Sequence, residues 1–325
     1  MRYRQLGQSG IEASVVGFGA WAIGGHNWGG TDEVAAVAAI RTALDEGITL
    51  LDTAPVYGFG VSEETCGKAI EGRRDEVVLA TKCGLVWHTQ RGDHFFDGPV
   101  GPVYRYLGRD AIRHEVEESL RRLRTDRLDL LQTHWQETTT RREETMEALL
   151  ELKAEGKIRA IGVSNCDIQQ LDEYRSVGPL DVDQERYSLL DRKFERNGQL
   201  AYCREHNVAV LAYSPLEQGL LTGKVGPDRV FPEGDMRRDR PRFSSENRQR
   251  ILALLADVKS LADAHGLTYG QLAIAWTVAQ PGVTHALVGA RNPEQARENA
   301  GAGDVVLSAE ELGAIDAAVA RHAPE

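Results

Sequence analysis

Four side chains that could move a proton stand at matching places in this chain. Asp52 ends the run Ile48-Thr49-Leu50-Leu51-Asp52, Lys82 ends Val77-Val78-Leu79-Ala80-Thr81-Lys82, and His134 ends Leu128-Asp129-Leu130-Leu131-Gln132-Thr133-His134. Tyr57 follows Asp52 by five residues, in the next loop. Short apolar runs of this kind read as buried strands, and in a parallel barrel the carboxyl ends of the strands open on one mouth. A free tyrosine titrates near ~10, too tight a hold on its proton for an acid at neutral pH. A cation beside it stabilises the phenolate and lowers that value, and Lys82 can supply the charge. Asp52 can fix the lysine by a charge-assisted hydrogen bond, and a neutral His134 can donate to an oxygen and orient it. Singly, each has a plain structural reading: a barrel-mouth ion pair, a packing tyrosine, a satisfied core histidine. Together they could hand a proton to a carbonyl oxygen.

The elements that must position these groups alternate along the chain. Arg4 to Gly19 reads as a short hairpin with its turn near Gly7 to Gly10, leading into Val15-Val16-Gly17-Phe18. Helical spacing then runs from Asp32 to Glu46, with Val34, Val37, Arg41 and Leu44 on one face and Gly47 as the stop. Ser62 can cap a helix through Ile70, with Glu63 and Glu64 at its positive end. Cys83 to Gly108 reads as a long irregular stretch, of the kind that forms a lid or insertion. Helix and strand signals then repeat: helix 110–122, strand to His134, helix 143–155, strand 158–164, helix 167–175, strand 181–185, helix 197–206, strand 209–213. A second long loop spans Ser214 to Arg242, and Glu246 to His265 reads as one helix. Thr268 with Gln271 resembles a capping box, His285 to Val288 makes a last strand, Pro293 suits a first helical turn, and Ser308 with Glu311 caps a terminal helix. Eight strand-like runs, opening at Val15, Thr49, Val77, Leu128, Ile158, Asp181, Ala209 and His285, predict a single (β/α)8 TIM barrel over residues 1–325, an α/β fold with an N-terminal β-hairpin and extended mouth loops. Order along the chain puts the hairpin over the closed end.

Composition narrows the partners. A net charge of −11 over 325 residues argues against nucleic acid or an anionic membrane as the main partner. The basic cluster from Arg237 to Arg242 runs against that balance, as a solvated loop or as one that meets an anionic ligand. Cys66, Cys83, Cys166 and Cys203 are scattered without C-x-x-C spacing, which suits small buried side chains in a reduced cytosol. The N-terminus lacks an apolar signal region and no stretch approaches a membrane span, so a cytoplasmic setting is expected. Metal ligation is not expected, because the nine histidines show neither H-E-x-x-H nor Cys/His spacing suited to zinc. Gly17-Phe18-Gly19-Ala20-Trp21-Ala22 fits the loose dinucleotide pattern G-x-G-x-x-A, but more glycines follow where that pattern requires a helix.

The order Asp52, Tyr57, Lys82, His134 resembles the aldo-keto reductases, and more segments share the likeness. Leu50 to Gly58 followed by Ser62-Glu63-Glu64 is similar to that family's first signature, and Leu79-Ala80-Thr81-Lys82 to its lysine strand. Gly162-Val163-Ser164-Asn165, Gln184, Tyr213-Ser214-Pro215-Leu216, Gly219-Leu220-Leu221-Thr222-Gly223-Lys224 and Gly289 through Asn299 resemble its cofactor segments. Phe231 to Asp235 and Gly289-Ala290-Arg291 look closer to the bacterial general-stress and inositol-catabolism branch than to aldose reductases. The chain departs at His134-Trp135-Gln136-Glu137, where His-Trp-Pro-Asp is common; the histidine is kept, and the loop after it is expected to sit differently.

The resemblance implies an NADPH-dependent oxidoreductase that reduces an aldehyde or ketone, with Tyr57 as general acid, Lys82 and Asp52 tuning it, and His134 positioning the carbonyl. It implies cofactor contacts from Ala20, Trp21, Asp52, Ser164, Asn165, Gln184, Tyr213, Ser214, Pro215, Leu216, Gly219, Leu221, Lys224, Gly289, Arg291, Gln295, Glu298 and Asn299. Arg291 is the candidate for the adenosine 2′-phosphate, because a guanidinium fork suits a phosphate; a solvated loop arginine is its plain reading. Trp28 and Trp87 read equally as walls for an apolar substrate or as loop packing. Some members of this barrel family instead serve as cofactor-reading regulatory subunits of membrane channels, a role the tetrad does not exclude. The expected partner is a small carbonyl compound; substrate identity and oligomeric state are not legible in the sequence.

Overall fold

Eight parallel strands close into a barrel in chain order: β1 Val16–Gly19, β2 Leu50–Asp52, β3 Val78–Cys83, β4 Leu128–Thr133, β5 Ile158–Ser164, β6 Val182–Arg186, β7 Ala209–Tyr213 and β8 Val283–Val288, with β8 pairing back onto β1. This computed structural model describes residues 1–322. The fold is the (β/α)8 barrel expected, and two strands, β5 and β7, match their expected limits residue for residue.

Period-2 alternation sorts each strand into an inward and an outward face. Leu50, Ala80, Leu130, Ala160, Val182, Leu211 and Leu287 point inward as one apolar layer. Each fully buried leucine there contributes roughly 1.5–3 kcal/mol. The hairpin of Tyr3–Gln5 and Glu12–Ser14 lies beneath, its turn inserting Leu6 and Ile11 into the same layer. Arg4 fastens it by donating to the Val278 and Val283 carbonyls at 3.1 and 2.8 Å. The hairpin therefore floors the closed end. Two residues further along the inward faces come Asp52, Lys82, Gln132, Gly162, Gln184 and Tyr213. The barrel is dry below and polar above.

Several local expectations need correction. The helix Glu33–Asp45 does start at Asp32, whose carboxylate accepts from the Ala35 amide at 3.0 Å. Its buried face, however, is Ala36, Ala39, Ile40 and Ala43, while Val34 is 81% exposed. Small alanines let the helix lie close to the barrel, so the larger apolar residues sit beside the contact. Ser62 is no cap: the helix Val61–Ala69 begins at Gly60, whose φ of 102° replaces a side-chain cap. The Ser62 hydroxyl instead donates to the Ala20 carbonyl at 2.8 Å and pairs with Thr53 Oγ1 at 2.9 Å. Residues 83–108 are not irregular; Leu85–Val86, Gly101–Arg105 and Asp93–Gly98 form a small antiparallel flap. The expected helix 246–265 is two, Ser245–Asp257 and Lys259–Ala264, meeting at Val258. Both expected capping boxes hold: Thr268 with Gln271, and Ser308 with Glu311.

Candidate active site

The polar layer is a closed set of hydrogen bonds. Lys82 Nζ donates to Asp52 Oδ2 at 2.6 Å and to the Thr53 carbonyl at 3.0 Å. The other oxygen, Asp52 Oδ1, accepts from Gln132 Nε2 at 3.0 Å and Gln184 Nε2 at 2.9 Å. Asp52 is 3% and Lys82 1% exposed, so neither charge is shared with bulk water. Burial works against the ammonium, but the Asp52 and Tyr57 partners outweigh it and hold the Lys82 pKa above its ordinary value.

Tyr57 is aimed by the turn after β2. Its amide donates to the Ala54 carbonyl at 3.1 Å, and its carbonyl accepts from the Ser62 amide at 3.1 Å. The next residue, Gly58, adopts φ 68°, and a Cβ there would stand 2.0 Å from the Gly24 carbonyl oxygen. Only glycine lets the two loops approach this closely. The Tyr57 ring comes to 5.0 Å from Lys82 Nζ and meets the His134 ring edge-on at 5.6 Å. Asp52, Tyr57, Lys82 and His134 are thus brought together at the mouth. One expectation is reversed. Burial raises the Tyr57 pKa more than Lys82 lowers it, so the net shift is upward. The phenol therefore holds its proton, with the lysine charge as the main opposing influence. His134 is 9% exposed, and burial first, then Lys82, depress its pKa well below the usual imidazole value. Its ring is neutral and can serve as an N–H donor.

A family model described as aldo/keto reductase family matches residues 15–320. The chain belongs to the aldo/keto reductase family. A Bacillus subtilis aldo-keto reductase, YhdN, is 44% identical over 298 residues, 91% of this chain and 86% of that protein. The NADH-specific methylglyoxal reductase of Escherichia coli is 41% identical over 314 residues, 95% of each chain. A glycerol dehydrogenase structure from Gluconobacter oxydans superposes with a TM-score of 0.88 at 41% identity, covering 99% of this chain and 96% of that one.

In this reductase the other expected contact residues fall into two groups along the mouth. Ser164, Asn165, Gln184 and Tyr213 form a linked chain. Tyr213 Oη donates to Asn165 Oδ1 at 2.9 Å, Asn165 Nδ2 donates to the His134 carbonyl at 2.8 Å, and Ser164 Oγ donates to the Gln184 carbonyl at 2.7 Å. Asn165 holds a left-handed φ of 56° to do so. Ala20 is buried, its amide on the Asp52 carbonyl at 2.8 Å, and Trp21 stands 6.2 Å from the Tyr57 ring. The second group lies beyond β7 and β8. Ser214, Glu217, Gln218 and Gly219 all have positive φ, which curls the segment from Pro215 and Leu216 to the buried Leu221. Successive turns of this kind aim backbone N–H groups at an anion. Lys224 pairs with Glu298 at 2.7 Å, and Asn299 Nδ2 donates to the Gly289 carbonyl at 3.1 Å. The Arg291 amide donates to Gln295 Oε1 at 2.8 Å, while its guanidinium donates to the Trp28 and Gly30 carbonyls at 3.1 and 2.6 Å. Arg291 is therefore already engaged with the loop after β1.

Sequence reading passed over Gln132 and Glu217. Gln132 is a buried polar residue inside an apolar run, two places before His134, and that alternation was the available signal. A Cβ at Gly162 would come within 2.8 Å of Gln132 Cγ, so the glycine in β5 makes room for it. Glu217 is fully buried and accepts from Arg186 and Ser188 at 2.7 and 2.6 Å and also from Arg242. Arg237 is likewise paired with Asp235, so the basic cluster spends two of its arginines on internal acids. Gln136 shapes the loop after His134, donating to Thr133 Oγ1 and the Ser164 carbonyl at 3.0 and 3.2 Å. Trp28 is 8% exposed and packs edge-on to Trp21 at 5.3 Å; Trp87 packs on Phe59 at 5.4 Å. All four cysteines are free and buried, as small core side chains.

Proposed function

We propose that this reductase, as one barrel domain over residues 1–325, converts an aldehyde or ketone to an alcohol with NADPH, in the cytoplasm. The observation that carries the reading is the sealed Asp52–Lys82 pair under Tyr57, with a neutral imidazole at its edge. A bound nicotinamide supplies the hydride. Tyr57 gives its proton to the carbonyl oxygen as negative charge develops there, and Lys82, fixed by Asp52, stabilises the phenolate. His134 donates to the same oxygen and orients it. The polar groups at 164–165 and 184 and the curled backbone at 214–224 suit a carboxamide and a pyrophosphate. Trp21, Trp28, Phe59 and Trp87 give the substrate side apolar walls. Oxidation of NADPH across a panel of aldehydes, ketones and sugars tests this directly; no turnover with any carbonyl compound would sink it.

Cofactor choice rests on Arg291. Arg291→Gln is expected to weaken NADPH binding about ten- to a hundredfold, as loss of a charged hydrogen bond does, with NADH little affected. Equal losses for both cofactors would restrict Arg291 to holding the Trp28 loop.

The depressed His134 pKa makes a second expectation. Because the imidazole stays neutral as the pH falls through about 6.5, kcat/KM should carry no acid limb there. Stability moves the other way. The unfolded chain gains protons that buried His134 and His285 refuse, so unfolding free energy should decline below pH ~6.5. A kcat/KM limb near that pH, lost in His134→Gln, would show the imidazole to be titrating.

A further inference from the structure

Behind the mouth, on the outward face of β6, lies a polar cluster that the reaction does not use. Asp183 and Glu185 are two residues apart and share that face, flanking the inward Gln184. Asp183 is fully buried. Its Oδ2 accepts from Gln199 Nε2 at 2.9 Å and from the Cys203 thiol at 3.6 Å, while Oδ1 finds no donor among the described residues. The neighbouring group is the half-buried Glu185, whose Oε1 accepts from the Cys166 amide at 2.9 Å. That bond closes the turn holding Asn165, which in turn touches the His134 carbonyl and the Tyr213 hydroxyl. Two carboxylates in this enclosure repel each other, and a single shared proton both removes the repulsion and gives Asp183 Oδ1 its missing donor.

We propose that Asp183 and Glu185 share one proton and act as positioning residues, a proton-dependent buttress that holds the Asn165 turn in its cofactor-binding shape. The inference rests on the nicotinamide reading above and deepens it. The surroundings favour the proton's retention. Cys166 faces the pair from the turn after β5, Cys203 from the helix Gln199–Glu205, and Tyr213 from β7, while Asp167 lies beside Cys166. Arg142 reaches toward Cys166, Arg175 toward Cys203 and Arg186 toward Tyr213, and their ion pairs are with Glu173, Asp172 and Glu217 rather than with either carboxyl. Burial is the main cause that raises both carboxyl groups, Asp183 to about 7 and Glu185 well above its ordinary value. Below neutral pH the proton is present and the turn is held. As pH rises, the proton leaves, the second negative charge forces the carboxylates apart, and the Cys166 contact loosens.

The test follows the Cys166 amide resonance in 15N-cysteine-labelled protein between about pH 6 and 9.5, alongside NADPH and NADH dissociation constants from fluorescence. The wild-type amide is expected to titrate, and cofactor affinity to fall about tenfold along the same curve, as one pKa unit of coupling requires. Glu185→Gln, which can still accept from Cys166, should flatten both curves; Asp183→Asn should do the same from the other side. An amide titration that persists unchanged in Glu185→Gln overturns the shared proton. An amide that titrates while cofactor affinity stays flat overturns the buttress. A titrating amide in protein that binds neither cofactor at any pH supports the shared proton and overturns the nicotinamide reading instead.

Discussion

Tyr57→Phe is expected to lower kcat about 10²- to 10⁴-fold, the usual worth of a positioned general acid, while NADPH binding stays near wild type. The phenylalanine ring keeps the edge contact with His134 and the packing against Trp21, so the loss isolates the hydroxyl. The raised Tyr57 pKa adds a pH signature. Wild-type reduction should show no loss from phenol ionisation until above the ordinary value of about 10, because the buried phenol holds its proton. Single-turnover kinetics with preloaded cofactor would measure the chemical step directly. A Tyr57→Phe rate within a few-fold of wild type would move the acid role to another group.

The second large effect is on stability. Asp52→Ala leaves the Lys82 ammonium buried without its carboxylate, a change that costs about 3–5 kcal/mol when a buried pair is broken from one side. The wild-type Lys82 pKa is raised, so the pair stabilises at every pH below the unfolded value of about 10.5 and fades only as pH rises through the folded one. In Asp52→Ala the sign inverts. Burial without a partner depresses the lysine, the unfolded chain then binds the extra proton, and stability should climb between pH 7 and 10. Urea midpoints across that range would show it. Parallel curves for both proteins would mean that Lys82 finds another counter-charge. Activity should also collapse, because Asp52 gathers Gln132, Gln184 and Lys82 on one carboxylate.

The barrel and its tetrad were legible because both depend on short-range pattern. Runs such as Leu128 to Thr133 declare a strand, and the charged or polar residue that ends each run declares the mouth. Gln132 was hidden by the same logic, since a single amide inside an apolar run reads as tolerance rather than as a partner of Asp52. The flap at 85–105 was illegible because Gly, His and aromatic residues mask a pairing fixed only by contact between its strands. Ser62 misled because a serine before two glutamates is a capping signal, whereas here a left-handed glycine starts the helix and frees the hydroxyl for Ala20. The sign of the Tyr57 shift could not be read either. The sequence places a cation near the phenol, but only the folded chain shows how much solvent both have lost.

The hairpin floor has a kinetic consequence. Leu6 and Ile11 seal the barrel below the apolar layer, and Asp52, Lys82 and Gln184 are shut off from water at the sides. The polar layer therefore faces the barrel mouth. On the proposed mechanism, a proton given up by Tyr57 would be replaced from the same side by which the product leaves, so reloading of the acid would wait on product departure. Turnover on that reading would be paced by exchange at the mouth, and the loops around it would govern speed as well as choice.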